Sequence, residues 1–204
     1  MKERLKIQDG TMIGSWEEVQ GMKLSDITKR DGDDAILDGL IIKGYETKFG
    51  VVNENGEMYQ AGCLDDFIER YFVGHGFNLT VDVQHGCGVD DLVGRVIYME
   101  SNDEGYYFVA YIPSTVARYG QIKNLLSEGI LQGFSKCGIA TDVDYVEDKK
   151  NGGYWLIRKM DLLSVSLVAC PANPIPFDSV EETRNSLEWR NNRKKKKSIL
   201  KSNQ

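Results

Sequence analysis

Alternation of apolar and polar positions dominates the middle of the chain. In LTVDVQHG, Leu79, Val81 and Val83 alternate with Thr80, Asp82 and Gln84. That period of two predicts a half-buried strand ending at His85. GLIIKGYETKFGVV, punctuated by Gly44 and Gly50, predicts two short strands or one strand with a bulge, and the Asn55-Gly56 pair that follows predicts a hairpin turn. VGRVIYME and GYYFVAYIP read as consecutive strands joined by the polar turn SNDEG, the second ending at Pro113. QGFSKCGIATDVDYV and YWLIRKMDLLSVSLVAC give a last strand, turn and strand.

The period changes twice. In CLDDFIERYFV, Leu64, Phe67, Ile68, Tyr71 and Phe72 fall on one helical face, with Asp65, Asp66, Glu69 and Arg70 opposite. In TVARYGQIKNLLSEGIL, Val116, Ile122, Leu125, Leu126 and Ile130 predict a helix of about four turns closing around Gly129. Many strands with two helices predict a β-rich α+β fold: a closed or nearly closed β-barrel with surrounding helices, rather than a doubly wound sheet. Three of the four prolines lie in PANPIPF, which reads as the end of the fold because prolines cannot continue a ladder.

Composition bounds this picture. A chain of 204 residues with 41% hydrophobic content can bury one sizeable core. Residues 1–37 read as a weakly structured, turn-rich segment, 38–180 as the domain, and 181–204 as a flexible basic tail. The tail carries eight Lys or Arg against three Glu, while the whole chain has a net charge of −6, so the body is acidic. Dedicated nucleic-acid binding is not expected, beyond weak contact by RKKKK at 193–197. No apolar run reaches the roughly eighteen residues of a membrane span, and the N-terminus lacks the apolar centre of a signal peptide, so a soluble cytosolic protein is expected. The four cysteines are scattered without a CxxC pair and read as reduced thiols.

Only two histidines are present. His75 sits between glycines and reads as a loop residue; His85 stands at a strand end beside Gly86. Ser135 lies after the second helix, where a strand opens, and a serine there can expose its hydroxyl. A neutral imidazole within reach could take the Ser135 proton, and the fifty positions between His85 and Ser135 do not forbid contact, since such sites are defined by geometry. A metal held by His75, His85 and Cys87 matches no familiar zinc spacing. A Cys87 or Cys137 nucleophile is a further rival, against the usual packing of thiols as small hydrophobes.

Four pieces in order, GYETKFG, the strand ending VQH, LLSEGILQGFS, and MDLLSVSLVACPANP, resemble the prohead (capsid maturation) proteases of tailed bacteriophages. That serine protease family is related in fold to the herpesvirus assemblins, and the similarity runs from about Leu40 to Phe177. The sequence carries no cofactor signature, so neither cofactor nor metal is expected, and the resemblance implies a barrel surrounded by helices, acting as a serine endopeptidase on scaffold and capsid-protein segments inside the immature shell in the host-cell cytoplasm. It also implies a homodimer, His85 as the catalytic histidine and Ser135 as the nucleophile. Relatives carry Glu-Val-Ser-Leu-Val before the Pro-Ala-Asn-Pro corner where this chain has Ser164-Val165-Ser166-Leu167-Val168.

The third member is thus open between Ser164, by position, and Asp161, by charge; regular alternation puts them on opposite faces unless a bulge intervenes. Ser166 reads as ordinary packing. Relatives also place a glycine two residues after the nucleophile, where this chain has Cys137 followed by Gly138. The missing acid leaves a second reading, an inactive barrel serving capsid assembly. The basic tail adds the expectation of shell docking or self-cleavage.

Overall fold

The computed structural model describes residues 38–73, 79–148 and 152–183, with four short strands before them. Those four form two antiparallel pairs, β1 (Lys6–Gln8) with β2 (Thr11–Ile13) and β3 (Lys29–Arg30) with β4 (Asp33–Ile36). His75 and residues 184–204 lie outside the described residues, and so does nearly all of the basic tail.

One mixed eight-stranded sheet carries the body. It is built from β5 (Gly39–Lys48), β6 (Glu57–Tyr59), β7 (Thr80–Val83), β8 (Leu92–Ser101), β9 (Gly105–Pro113), β10 (Gly133–Val146), β11 (Tyr154–Val168) and β12 (Ser179–Thr183). Their order is β10-β11-β7-β8-β9-β5-β12, with β6 also on β11; β11 runs parallel to β6 and β7, and the other pairs are antiparallel. The GLIIKGYETK run forms a single strand whose register shifts between Tyr45 and Thr47, so the bulge alternative is the one realised. Nearly all of β9 is buried, as expected of a strand covered on both faces.

Of the expected closed or nearly closed barrel, full closure is not found: the ladder is an open path, and among the described residues its ends, β10 and β12, do not pair. The proline-rich corner lies across the gap. Phe177 N–H donates to the Gln132 carbonyl (3.0 Å) and Asp178 N–H to that of Lys43 (2.8 Å), so the segment stitches the start of β10 to β5 without forming a strand. Gly133 makes room for it, since a Cβ there would stand 2.6 Å from the Ile175 carbonyl oxygen. The fold also continues past the prolines, because β12 pairs with β5 through Thr183.

The sheet curls around a core that includes Leu40, Ile42, Val81, Phe108, Phe134 and Leu167. Phe134 sits edge-on between Phe108 and Phe177, joining β10 to β9 and to the corner. The second helix is shorter than its pattern predicts, and the first is partly a π-helix. Helix α1 covers Asp65–Phe67 and continues as a wider π turn over Ile68–Val73, and α2 covers Tyr119–Ser127. Gly129 (φ +66°) ends α2 in the left-handed conformation that glycine adopts without a Cβ penalty, with its N–H on the Leu126 carbonyl.

Cys63 lies in this core, whereas Cys87, Cys137 and Cys170 are exposed. Burial pushes the Cys63 thiol up to about 11 from an ordinary 9. A disulfide reagent at pH 8 should therefore titrate three thiols quickly in the native protein and the fourth only on unfolding; four fast thiols would refute the burial. Between those two values the unfolded chain binds fewer protons than the folded one, so Cys63 makes stability fall as pH rises.

Candidate active site

Strand register assembles the site. Ser135 is the third residue of β10 and pairs with Ser166 of β11, which pairs in turn with Asp82 of β7. Three residues far apart in sequence therefore form one lateral row across adjacent strands. Directly paired residues project from the same face, so the row places two hydroxyls and a carboxyl side by side.

The ring of His85 is laid over this row by a tight turn. Gln84 and His85 both take left-handed backbone angles (φ +57° and +55°), and Gly86 N–H donates to the Val83 carbonyl at 3.1 Å. Positive φ at both central positions is the type I′ pattern, which reverses the chain within two residues. Non-glycine residues adopt it at a cost of roughly 1–2 kcal/mol each, so surrounding contacts must hold it. Gln84 N–H bonds the Leu167 carbonyl, and the Gln84 side chain accepts the Ala169 N–H. Downstream, Asp91 accepts the Gly88 N–H and pairs with Arg118 at 3.0 Å, tying the loop to the start of α2.

The resulting contacts are continuous. His85 Nε2 lies 3.0 Å from Ser135 Oγ, and His85 Nδ1 lies 3.0 Å from Ser166 Oγ. Ser166 Oγ donates to Asp82 Oδ1 at 2.5 Å. Exposure falls along the chain of bonds: His85 is exposed and Ser135 partly so, while Ser166 is fully buried and Asp82 almost fully. A neutral imidazole touching a hydroxyl at Nε2, with an acceptor at Nδ1, can take that hydroxyl's proton as its oxygen attacks an electrophile.

The structure brings His85 and Ser135 together as the pair of residue types suggests, but neither expected third residue is at the ring. Ser164 pairs with Cys137 and Thr80, one row along the same face, and Asp161 lies 3.6 Å from Arg70. A bulge does intervene: the step from Cys137 to Gly138 spans Ser164 to Leu162, leaving Leu163 unpaired. It displaces the strand without bringing Asp161 to the row. The residue at Nδ1 is Ser166, because register with Asp82 and Ser135 fixes who faces His85. Sequence alternation placed Asp82 on the face opposite Val81 and Val83, and that was the available signal; the parallel pairing of β7 with β11 was not visible.

Behind the nucleophile, Lys136 points to the opposite face. Its Nζ is buried, bonded to Glu46 Oε2 and Thr47 Oγ1 at 2.6 Å each and seated 3.6 Å from the centre of the Tyr59 ring. Burial and the bond to Glu57 push the Tyr59 phenol far above its usual range, so it stays neutral. This contact joins β10 to β5 where no backbone ladder does.

The strand order defines a β-rich fold with few helices, built on one mixed sheet. The capsid assembly protease of bacteriophage T4 shares the fold: it is 18% identical, the match covers 68% of this chain and 92% of that one, and the TM-score is 0.50. A protease of Kaposi's sarcoma-associated herpesvirus, solved with a hexapeptide phosphonate inhibitor, is 15% identical over 64% of this chain and 59% of its own, at a TM-score of 0.38. Among curated proteins, none matches this sequence. The caudovirus prohead serine protease family matches residues 25–188, and the chain belongs to that family of capsid maturation peptidases.

Proposed function

We propose that the protein is a serine endopeptidase in which His85 is the general base and Ser135 the nucleophile. The observation that carries this is the 3.0 Å contact between His85 Nε2 and Ser135 Oγ at the solvent-facing end of the row. As Ser135 Oγ bonds to the carbonyl carbon of the scissile peptide, its proton passes to Nε2. The tetrahedral intermediate collapses as Nε2 gives that proton to the leaving amine, the C–N bond breaks and an acyl ester remains on Ser135. Water, deprotonated by the same nitrogen, then releases the acid.

Its substrates, in this reading, are segments of scaffold and capsid protein within the immature shell in the host cytoplasm, and the working form is a homodimer. Self-cleavage would remove the basic tail near residue 180. An active-site-directed fluorophosphonate tests the central claim: one adduct per chain, located on Ser135 by peptide mass spectrometry, is expected. A wild-type chain that folds but stays unlabelled would instead favour an assembly role without catalysis.

A further inference from the structure

We propose that Asp82 is a positioning residue that acts on His85 through Ser166, holding one hydroxyl away the carboxylate that is missing beside the imidazole. The inference rests on the reading of His85 as the base for Ser135.

Asp82 is 2% exposed and sits between Val81 and Val83, both buried. A carboxyl so placed costs stability unless its oxygens are bonded, and its partner is the Ser166 hydroxyl, itself fully buried. An ionised carboxylate can only accept hydrogen bonds. The Ser166 proton therefore points at Asp82, leaving a Ser166 lone pair toward Nδ1. Nδ1 must then carry the ring proton, and Nε2 presents its lone pair to Ser135. Each bond fixes the direction of the next, so the carboxylate sets the imidazole tautomer across two hydrogen bonds. When Nε2 gains the Ser135 proton, the polarised hydroxyl stabilises the positive ring from behind.

Without the Asp82 charge, Ser166 is free to turn its proton toward Nδ1. That stabilises the opposite tautomer, in which Nε2–H faces Ser135 and cannot accept its proton.

The other titratable groups near the ring are committed elsewhere or hydrogen-bond to other parts of the chain. The Cys87 thiol lies 3.7 Å from the His85 carbonyl oxygen, Asp91 is paired with Arg118, and Lys136 is bonded to Glu46 on the opposite face of β10. Cys137 is in the next row along β10, and Asp161 is held near Arg70.

The test is side-chain ¹⁵N NMR of His85 across a pH titration, in the wild-type chain and in Asp82→Asn, with His75→Gln to assign the two rings. The wild type should show a neutral ring protonated on Nδ1. Asp82→Asn should populate the Nε2–H tautomer, because the carboxylate that turns the Ser166 proton away from Nδ1 is gone. In parallel, its rate of fluorophosphonate labelling should drop by roughly 10²-fold. If Asp82→Asn does not fold, Ser166→Ala severs the same relay and should shift the ring in the same way.

A wild-type ring protonated on Nε2 would overturn the proposal. So would a variant that reacts more slowly with the tautomer of His85 unmoved, the result of a purely structural role. Should the wild type ignore the probe while the ring carries its proton on Nδ1 and changes tautomer in Asp82→Asn, the relay stands and the peptidase reading falls.

Discussion

Ser135→Ala is expected to abolish fluorophosphonate labelling and to lower peptide cleavage by roughly 10⁴-fold or more, with the fold intact. The size follows from what is removed. In the proposed mechanism its oxygen forms the acyl ester, and the neighbouring described groups are held otherwise: Ser166 is buried and donates its proton to Asp82, and the exposed Cys137 is paired with Ser164 one row away. The fold should tolerate the change because Ser135 is only partly buried and its backbone belongs to the β10–β11 ladder. His85→Ala should cost a comparable factor. The double variant should be scarcely slower than either single one, because base and nucleophile act as a unit. A Ser135→Ala protein that still cleaved a scaffold substrate, after contaminating host proteases were ruled out with a second purification, would dismiss Ser135 as the nucleophile.

How much of this was legible before the structure depends on whether a feature is local. Alternation marked β7, and apolar runs separated by polar turns marked β8 to β11, because both signals are written in consecutive residues. The pair His85 and Ser135 was reachable because each sits at an element boundary that the sequence announces. The third position was not. Choosing among Asp161, Ser164 and Ser166 requires the register of β11 against both β10 and β7, and a bulge at Leu163 shifts that register out of simple counting. The carboxylate was sought on the strand that relatives use, whereas the structure supplies one from β7, three residues before the histidine. Full closure of the barrel was not legible for a similar reason: composition reports strand content, but whether the first and last strands meet depends on the proline corner between them. The length of α2 was overcalled because apolar periodicity continues into the turns that flank it.

The gap in the ladder leads to the largest expected effect on stability. Lys136 and Glu46 are each 3% exposed, and their contact spans strands that share no backbone ladder. Removing Lys136 leaves the buried Glu46 carboxylate bonded to the Thr47 hydroxyl but without a countercharge, and breaking a buried ion pair in this way typically costs about 3–5 kcal/mol. Lys136→Met keeps the length and the apolar stem, so the loss isolates the charge. Stability in urea should drop by that amount, out of the roughly 5–15 kcal/mol of an ordinary domain, and the melting temperature by on the order of 10 °C. Adding Glu46→Gln removes the stranded charge while leaving an amide to bond Thr47, so the double variant should recover part of the loss. The alternative is that hydrophobic contacts such as Phe134 against Phe177 already hold β10 in place and the ion pair is incidental. In that case Lys136→Met would unfold within about 1 kcal/mol of wild type, and the second substitution would recover nothing. Because Lys136 follows Ser135 on the same strand, the labelling rate of the folded single variant reads the local consequence: a slower rate that the double variant restores would mean that this contact across the open sheet also holds the nucleophile against His85.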